Sequence, residues 1–227
     1  MLLEAGESGI GAPHFHFRLR VVRTMDGVPK NQLSLTVDAK RVPLFFQLLG
    51  HGFGVRVQTG CSVKELLCNQ LGIHEDYLAQ RIKTIFLNSK VVDDVNSAIV
   101  DKDATMALSG AMPGLVGAIL RKGGYYAGMR SQISHEENRP ASQLKKGKIT
   151  LKLWNLVVKE LGSTFLQRGI WLQGQEVRSF IERHGEELKA GCISAELNDQ
   201  PADVDSLCKA DWKTNLVFLQ VKSEQAE

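Results

Sequence analysis

The sequence predicts an α+β fold built from two divergent copies of one small unit, and three observations support this prediction. Short runs of alternating apolar and polar residues, typical of half-buried strands, are interspersed with segments in which apolar residues recur at helical spacing. The same order of signals occurs twice, once from Leu33 and again from Ile149. The stretch between the two copies is basic and rich in glycine, which is typical of a connector.

The first copy opens with an alternating strand at residues 33–37, followed by a compact apolar segment at residues 44–50. We expect a short helix there that ends at its final glycine, because glycine readily adopts left-handed backbone dihedrals. A second strand is predicted at residues 54–58. Ser62 and Glu65 then have the spacing of a capping box, so the next helix is predicted to begin at Ser62.

The second copy repeats this order. It has a strand at residues 149–153, an apolar helix at residues 154–162 that also ends in Leu-Gly, a strand at residues 169–173 and a helix from Glu176. The agreement in order, rather than any single match, indicates a duplication.

Both copies also end alike. Each has a third strand that runs into a tight turn with Leu-Asn just before it, at residues 85–90 and 194–199. Short helical turns are predicted to open at Val95 and Val204, and alternating last strands are predicted to follow a polar turn. These last strands cover residues 105–108 and 215–219.

The order of strand, short helix, strand, helix, strand, turn and strand predicts a β-grasp arrangement, in which one amphipathic helix crosses one face of a mixed sheet. We therefore predict two tandem β-grasp units joined by a connector. The first unit covers residues 1–112 and includes an added strand at residues 15–23, the connector covers residues 113–148, and the second unit covers residues 149–227.

Several features of the first copy occur together in one family. They are the helix that ends in Leu-Gly, the Ser-Val-Lys-Glu-Leu helix start at residues 62–66, Leu87-Asn88 before a hairpin and the acidic turn at residues 101–103. With these features residues 33–113 resemble the molybdopterin-synthase small subunit and related ubiquitin-like sulfur carriers, and residues 149–221 resemble them more loosely. The resemblance implies a ubiquitin-like fold. It also implies a Gly-Gly C-terminus whose carboxylate is adenylated and converted to a thiocarboxylate.

This chain departs from the carrier pattern at both ends where a tail would be expected. The first copy continues into residues 109–114 inside the chain, and the second copy ends in residues 222–227 without a glycine. Residues 120–124 instead form a basic segment that ends in a double glycine, like the tail of a ubiquitin-like modifier. Gly123 and Gly124 are therefore either a carrier tail that processing would expose or a turn within the connector.

The connector is the second candidate site. Its apolar, small-residue segment at residues 112–120 continues into two tyrosines, and its bases outnumber its acids. It could pack between the two units, dock a partner protein, or bind single-stranded nucleic acid through aromatic side chains interleaved with bases. The candidate docking residues are Leu115, Ile119, Arg121, Lys122, Tyr125, Tyr126 and Arg130.

Other motifs support no catalytic or metal site. His14 and His16 would share one face of a strand, but a metal site needs at least one further ligand. The Gly-x-Gly-x-Gly at residues 50–54 follows a helix rather than a strand, so it lacks the context of a dinucleotide-binding loop. Asp93 and Asp94 are expected to be solvated turn residues. The four cysteines form no Cys-x-x-Cys pair and are expected to be buried or half-buried thiols.

The sequence therefore favours a non-catalytic binding or scaffold protein that acts through protein–protein contacts and needs no cofactor. The alternative is a sulfur carrier or modifier precursor linked to molybdenum-cofactor or thiolation chemistry. A third hypothesis, an enzyme with a site between the two units, requires a deep cleft with converging polar groups.

Composition sets limits on partners and location. No stretch approaches the roughly 20 apolar residues of a membrane span, and the acidic first residues do not resemble a secretory signal. We expect a cytoplasmic protein without a membrane partner. A net charge of +3 is too small to indicate a nucleic-acid partner, and the oligomeric state stays open.

Overall fold

The computed structural model describes residues 31–130, 132–135, 143–212 and 216–224. The predicted strand at residues 15–23 and the histidines His14 and His16 lie outside the described residues. No helix among the described residues is long and apolar enough to cross a membrane.

In the part of the chain that the structure describes, ten strands form one mixed sheet, and two further strands form a small antiparallel pair. The strands are β1 (Gln32–Asp38), β2 (Phe53–Thr59), β3 (Cys61–Ser62), β4 (Thr84–Leu87), β5 (Lys90–Val91), β6 (Ile99–Val100), β7 (Thr105–Ser109), β8 (Lys145–Trp154), β9 (Ile170–Gln173), β10 (Cys192–Leu197), β11 (Gln200–Ala202) and β12 (Leu216–Glu224). The order in the large sheet is β11-β10-β1-β12-β9-β2-β8-β7-β4-β5, and β3 pairs with β6.

Short helices connect the strands. The α-helices are α1 (Phe46–His51), α2 (Glu75–Gln80), α3 (Gly114–Leu120), α4 (Leu156–Arg168), α5 (Gly174–Lys189) and α6 (Val204–Lys209). The described ranges also contain two 3-10 helices, Ala39–Phe45 and Tyr125–Arg130, and one π-helix, Glu65–Gln70. A large mixed sheet with several helices is compatible with the predicted α+β class.

Alternation along the strands creates one core on the helix-bearing face of the sheet. In β1 every second residue is buried, with Leu33, Leu35 and Val37 at most 4 % exposed. Aromatic side chains join strands and helices across this face: Phe53 packs edge-on against Phe165 of α4, with ring centroids 5.4 Å apart. The opposite face, here called the polar face, carries residues such as Ser34, Thr36, Arg56, Lys148 and Gln220.

Strands of the two predicted copies, called the first and second copy below, are interleaved in the sheet. β8, which opens the second copy, pairs antiparallel with β2 and parallel with β7 of the first copy. β1, which opens the first copy, pairs antiparallel with β10 and parallel with β12 of the second copy. Each copy therefore contributes its opening strand to the half of the sheet that the other copy builds.

Two matching turns show how similar these halves are. Asn88 and Ser89, between β4 and β5, have φ values of 50° and 67°, and Asn198 and Asp199, between β10 and β11, have 54° and 62°. Left-handed conformations at both central residues define the tight hairpin turn that favours asparagine. Each asparagine amide oxygen accepts a hydrogen bond of 2.9 Å from the backbone N–H of a neighbouring strand.

The strand that each asparagine contacts differs between the halves. Asn88 accepts from Thr105 in β7, the last strand of its own copy, whereas Asn198 accepts from Gln32 in β1, the first strand of the other copy. In the first half the order is β5-β4-β7-β8-β2, and in the second half it is β11-β10-β1-β12-β9. In the first half β7, the last strand of its own copy, lies beside β4, and the exchanged strand β8 lies beside β2. In the second half the exchanged strand β1 lies beside β10, and β12, the last strand of its own copy, lies beside β9.

Helix ends differ from the prediction at both Leu-Gly sites. α1 continues past Gly50 to His51 and is followed by Gly52, whose φ of 131° requires a glycine. α4 continues through Gly162 to Arg168, so the predicted stop is wrong. Gly162 instead allows close packing of two helices, because a Cβ there would lie 2.8 Å from the ring of Phe46.

A partly buried polar contact joins the two copies on the helical side. The Tyr77 hydroxyl of α2 donates a 2.6 Å hydrogen bond to the Glu160 carboxylate of α4, and the Arg81 guanidinium forms an ion pair with the same carboxylate. Burial raises the pKa of Glu160, but hydrogen bonds from Arg81 and Tyr77 lower it by more, so the net shift is downward. This carboxylate therefore stabilises the fold in its charged form.

We expect Glu160→Gln to lower the free energy of unfolding at neutral pH by about 2 kcal/mol, because a charge-assisted contact is lost. A carboxyl whose pKa is lower in the folded state stabilises the protein above its unfolded pKa, near 4.5, and loses this effect as the pH falls through the folded pKa. The difference between wild type and variant should therefore shrink on acidification below about pH 4.5. Urea unfolding at a series of pH values measures it.

The control for this prediction is Glu182→Gln, which removes an exposed partner of Arg178 on α5. Exposed ion pairs contribute little, so this change should cost at most about 0.5 kcal/mol. An equal cost for both substitutions, or a Glu160→Gln cost that is unchanged in acid, would contradict the role given to Glu160.

Candidate docking site on the connector

The connector folds into a short helical hairpin. α3 follows Pro113, whose ring fixes φ near a value suited to a helix start. Gly117 lies against the chain that enters the helix, because a Cβ at this position would lie 2.0 Å from the carbonyl oxygen of Met112. A turn at residues 121–124 then leads into the 3-10 helix Tyr125–Arg130.

Arg130 holds the hairpin together and is only 3 % exposed. Its Nε donates to the Ile119 carbonyl at 2.7 Å, and one terminal nitrogen donates to the Arg121 carbonyl at 3.2 Å. Both terminal nitrogens also donate to the Asp93 carboxylate, at 2.7 and 2.6 Å. Such a two-pronged contact suits the planar guanidinium and gives the ion pair a defined geometry.

Asp93 is the matching anchor on the body of the protein. Besides Arg130, its carboxylate accepts a 2.7 Å hydrogen bond from the backbone N–H of Gly123. The hydrogen bond from Arg130 is the largest cause of a lowered pKa for Asp93. The expectation that Asp93 is a solvated turn residue is therefore wrong, because the connector folds back onto this turn. Asp94, in contrast, does stabilise its own turn through Asn96 and Ser97.

Backbone contacts attach the connector to one edge of the sheet. The N–H of Val91 in β5 donates to the Ile133 carbonyl at 2.7 Å, and the His135 N–H donates to the Val91 carbonyl at 2.8 Å. The Lys122 N–H donates to the Lys83 carbonyl at 2.8 Å. An edge strand that would otherwise leave unpaired backbone groups is thereby covered.

Gly123 and Gly124 form the turn between the two helices of this hairpin. Gly123 has a φ of 60°, and its N–H is bound to Asp93. The Gly124 N–H donates to the Arg121 carbonyl at 3.1 Å, and its carbonyl accepts from the Ala127 N–H at 2.9 Å. In the intact chain the double glycine is thus part of a hydrogen-bonded turn that Arg130 and Asp93 secure.

The outer surface of the hairpin is apolar. Leu115 and Val116 on α3 are 64 % and 68 % exposed, and Tyr125 and Met129 on the following helix are 95 % and 71 % exposed. Tyr126 is 37 % exposed and packs edge-on against Tyr125. We call these five residues the connector patch. Large apolar side chains grouped in this way on a surface mark an interaction site rather than the scattered exposure that is normal.

The structure divides the predicted docking residues into two groups. Leu115, Tyr125 and Tyr126 belong to the connector patch, and Arg121 lies exposed beside it. The other three residues are less exposed. Ile119 is half-buried and Arg130 is buried. The Lys122 ammonium donates a 3.1 Å hydrogen bond to the Leu78 carbonyl. Burial, followed by the nearby Lys83 charge, lowers the pKa of Lys122.

Val116 and Met129 belong to the connector patch but not to the predicted site residues. Met129 lies in the same short segment as Tyr125 and Tyr126, so the continuation of the apolar segment to Met129 was visible in the sequence. The exposure of Val116 was not, since its neighbour Gly117 in the same helix is buried against Met112.

A second polar cluster lies between α1 and α5. The His184 side chain contacts Gln47 Nε2 through its Nε2, at 2.6 Å, and Glu187 through its Nδ1. His184 interrupts α5 with non-helical dihedrals. Since both ring nitrogens have partners within the chain, the histidine joins two helices rather than presenting a free nitrogen to a substrate.

Among the described residues no three His, Cys, Asp or Glu side chains are grouped closely enough to hold a metal ion. The thiol of Cys61 is buried and those of Cys68 and Cys192 are half-buried, as expected, but Cys208 is exposed on α6. All four cysteines are free.

No protein-family model, curated protein or solved structure matches the chain. The resemblance to ubiquitin-like sulfur carriers therefore remains a prediction based on the motifs of the first copy.

We expect Asp93→Asn to detach the hairpin, because the buried guanidinium of Arg130 would lose its counter-charge. The loss should be about 3 kcal/mol, near the lower limit for breaking a buried pair, since the Asp93 side chain is 34 % exposed. Trypsin should then cleave the native-state chain faster after Arg121. Asp199→Asn is the matched control, because its exposed left-handed turn position accepts asparagine. Equal cleavage rates for both variants would show that Asp93 does not hold the connector.

Gly117→Ala should destabilise the hairpin, although alanine is favoured over glycine by about 1 kcal/mol within a helix. The added methyl group would meet the Met112 backbone, which cannot move aside like a side chain. Gly128→Ala is the control, because a Cβ there has no atom within 4 Å. Hydrogen exchange of α3 amides measures the effect, and a Gly117→Ala variant with unchanged or slower exchange would contradict it.

Proposed function

We propose that this protein is a non-catalytic binding module of ubiquitin-like type and that it docks a partner protein through the connector patch. The observation that carries the proposal is the exposure of Leu115, Val116, Tyr125 and Met129 on one rigidly mounted hairpin. Aromatic residues and methionine are the side chains enriched at the centre of protein interfaces.

The mounting of the connector patch supports this function. Because Arg130 and Asp93 already fix the hairpin, docking would not require the chain to become ordered first. Preorganisation reduces the entropic cost of binding, so a small surface can bind with useful affinity. Arg121 beside the connector patch, and the lack of acidic residues from Gly114 to Arg130, favour a partner surface that combines apolar and acidic groups.

The ubiquitin-like description rests on the repeated order of elements and on the paired turns at Asn88 and Asn198. The carrier alternative has less support. Gly123 and Gly124 would have to leave the turn in which Asp93 and the Arg121 carbonyl hold them before a tail could enter a partner's active site.

The test places a photo-crosslinking amino acid, p-benzoylphenylalanine, at Tyr125 of the full chain in the native cell. We expect a discrete adduct with one partner protein, and no such adduct when the crosslinker replaces exposed Gln200. The double variant Leu115→Ser/Met129→Ser in the crosslinking chain should reduce the adduct about tenfold or more, because buried apolar anchors dominate interface energies.

The control is Ile193→Ser, which removes an apolar side chain that is 50 % exposed on β10, away from the connector. It should leave the Tyr125 adduct unchanged. If no adduct forms at Tyr125, or if both sets of serine substitutions reduce it equally, the connector patch is not a docking site.

A further inference from the structure

A shallow cavity lies on the polar face of the sheet, away from the connector. It has a volume of about 260 Å³ and lies over β10, β1 and β12. Because Ser34 stands opposite both Glu196 and Gln220, these three side chains form one row across the strands. Thr36 stands opposite both Ser194 and Lys222, which form a second, parallel row.

The fold does not use most of these polar groups. Within the ranges that the structure describes, the side chains of Ser34, Thr36, Ser194, Glu196 and Lys222 form no hydrogen bond or ion pair with another residue. Gln220 differs, since its amide nitrogen donates to the Gln167 carbonyl at 2.7 Å. That contact orients the side chain and leaves its amide oxygen as an acceptor.

The two rows contain both hydrogen-bond donors and acceptors, and they carry one acidic and one basic side chain, Glu196 and Lys222. Hydroxyl groups donate and accept, Glu196 accepts, and Lys222 donates. Adjacent strands lie about 4.8 Å apart, so the backbones of Glu196 and Lys222, two strands apart, are separated by about 10 Å or more. In the described part of the chain these two side chains form no ion pair with each other. A phosphate-like anion would be repelled by the nearby Glu196 carboxylate. An apolar ligand is also disfavoured, because it would cover the polar groups without forming hydrogen bonds to them. A neutral ligand with many hydroxyl groups matches the rows.

An aromatic side chain lies just outside the residues that line the cavity, two positions before Gln220 on the same face of β12. Phe218 of β12 stands opposite Gln32, which also lines the cavity, and its ring is half-buried against Trp171 with centroids 5.1 Å apart. Gly169 also fixes this ring, because a Cβ there would lie 2.1 Å from the ring of Phe218. A fixed ring beside donors and acceptors offers an apolar wall for the C–H face of a sugar.

We propose that this cavity binds a saccharide. Ser34, Thr36, Ser194 and Glu196 would hydrogen-bond its hydroxyl groups, and Phe218 would contact its apolar face. The volume lies just below the roughly 300 Å³ at which sites for drug-sized ligands begin, so the site fits one sugar ring of a free or linked saccharide. This inference is independent of the connector patch, which lies on a different part of the chain.

The test is a titration of the full chain, labelled with nitrogen-15, with glucose, galactose, mannose, N-acetylglucosamine and their disaccharides. We expect at least one of them to cause saturable shifts of backbone amide signals at Ser34, Thr36 and Ser194. Glu196→Gln should weaken that binding about tenfold, because a hydrogen bond to a charged acceptor is lost. Ser34→Ala should weaken it as well.

Glu186→Gln is the matched control, since Glu186 is exposed on α5 at the helical side, and its titration should equal that of the wild type. The proposal is overturned if none of the sugars gives saturable shifts, if the shifts lie outside the cavity, or if Glu196→Gln and Glu186→Gln bind equally well. Saturable binding of zwitterionic amino acids in place of sugars would also overturn the saccharide assignment.

Discussion

Two parallel strand pairings hold the whole molecule together: β7 with β8, and β1 with β12. Each joins a strand of one copy to a strand of the other, so neither half of the sheet is complete without the other copy. The core follows the same rule, since Phe53 of the first copy packs on Phe165 of the second. The exchange links the two copies, and the pairing of Gly54 in β2 with Trp171 in β9 joins the two halves into the single large sheet on which the connector and the helices are placed.

Local signals in the sequence located most elements of both copies, but they did not predict α2, and Val95 lies in a turn rather than at the start of a helix. Alternation predicted β1 and β8, and the Leu-Asn pairs predicted the two hairpin turns. The exchange of opening strands was not predictable in this way. β1 and β8 have the same alternating pattern, and a pattern of period two states which face is buried but not which neighbour a strand takes. The end of α4 was missed for a related reason, since Gly162 serves packing rather than termination.

The candidate site shows a similar division. Composition identified the connector as unusual, and Leu115, Tyr125 and Tyr126 do lie on its outer surface. The sequence alone could not predict that Arg130 and Lys122 are less exposed than these residues. An arginine or lysine within a basic segment carries no local signal that states whether its side chain is exposed or buried. This difference in exposure depends on Asp93, which lies 37 positions before Arg130 and meets it only after the chain folds back.

The strand exchange also determines when the chain can fold during synthesis. Gln32 opens β1, yet the asparagine that binds its backbone N–H lies 166 positions later. At the usual speed of translation, β1 therefore leaves the ribosome roughly ten to thirty seconds before this partner is made. During that interval β1 lacks both strands with which it pairs in the finished sheet, β10 and β12. The first copy of a nascent chain therefore reaches its final pairing only when the second copy is nearly finished.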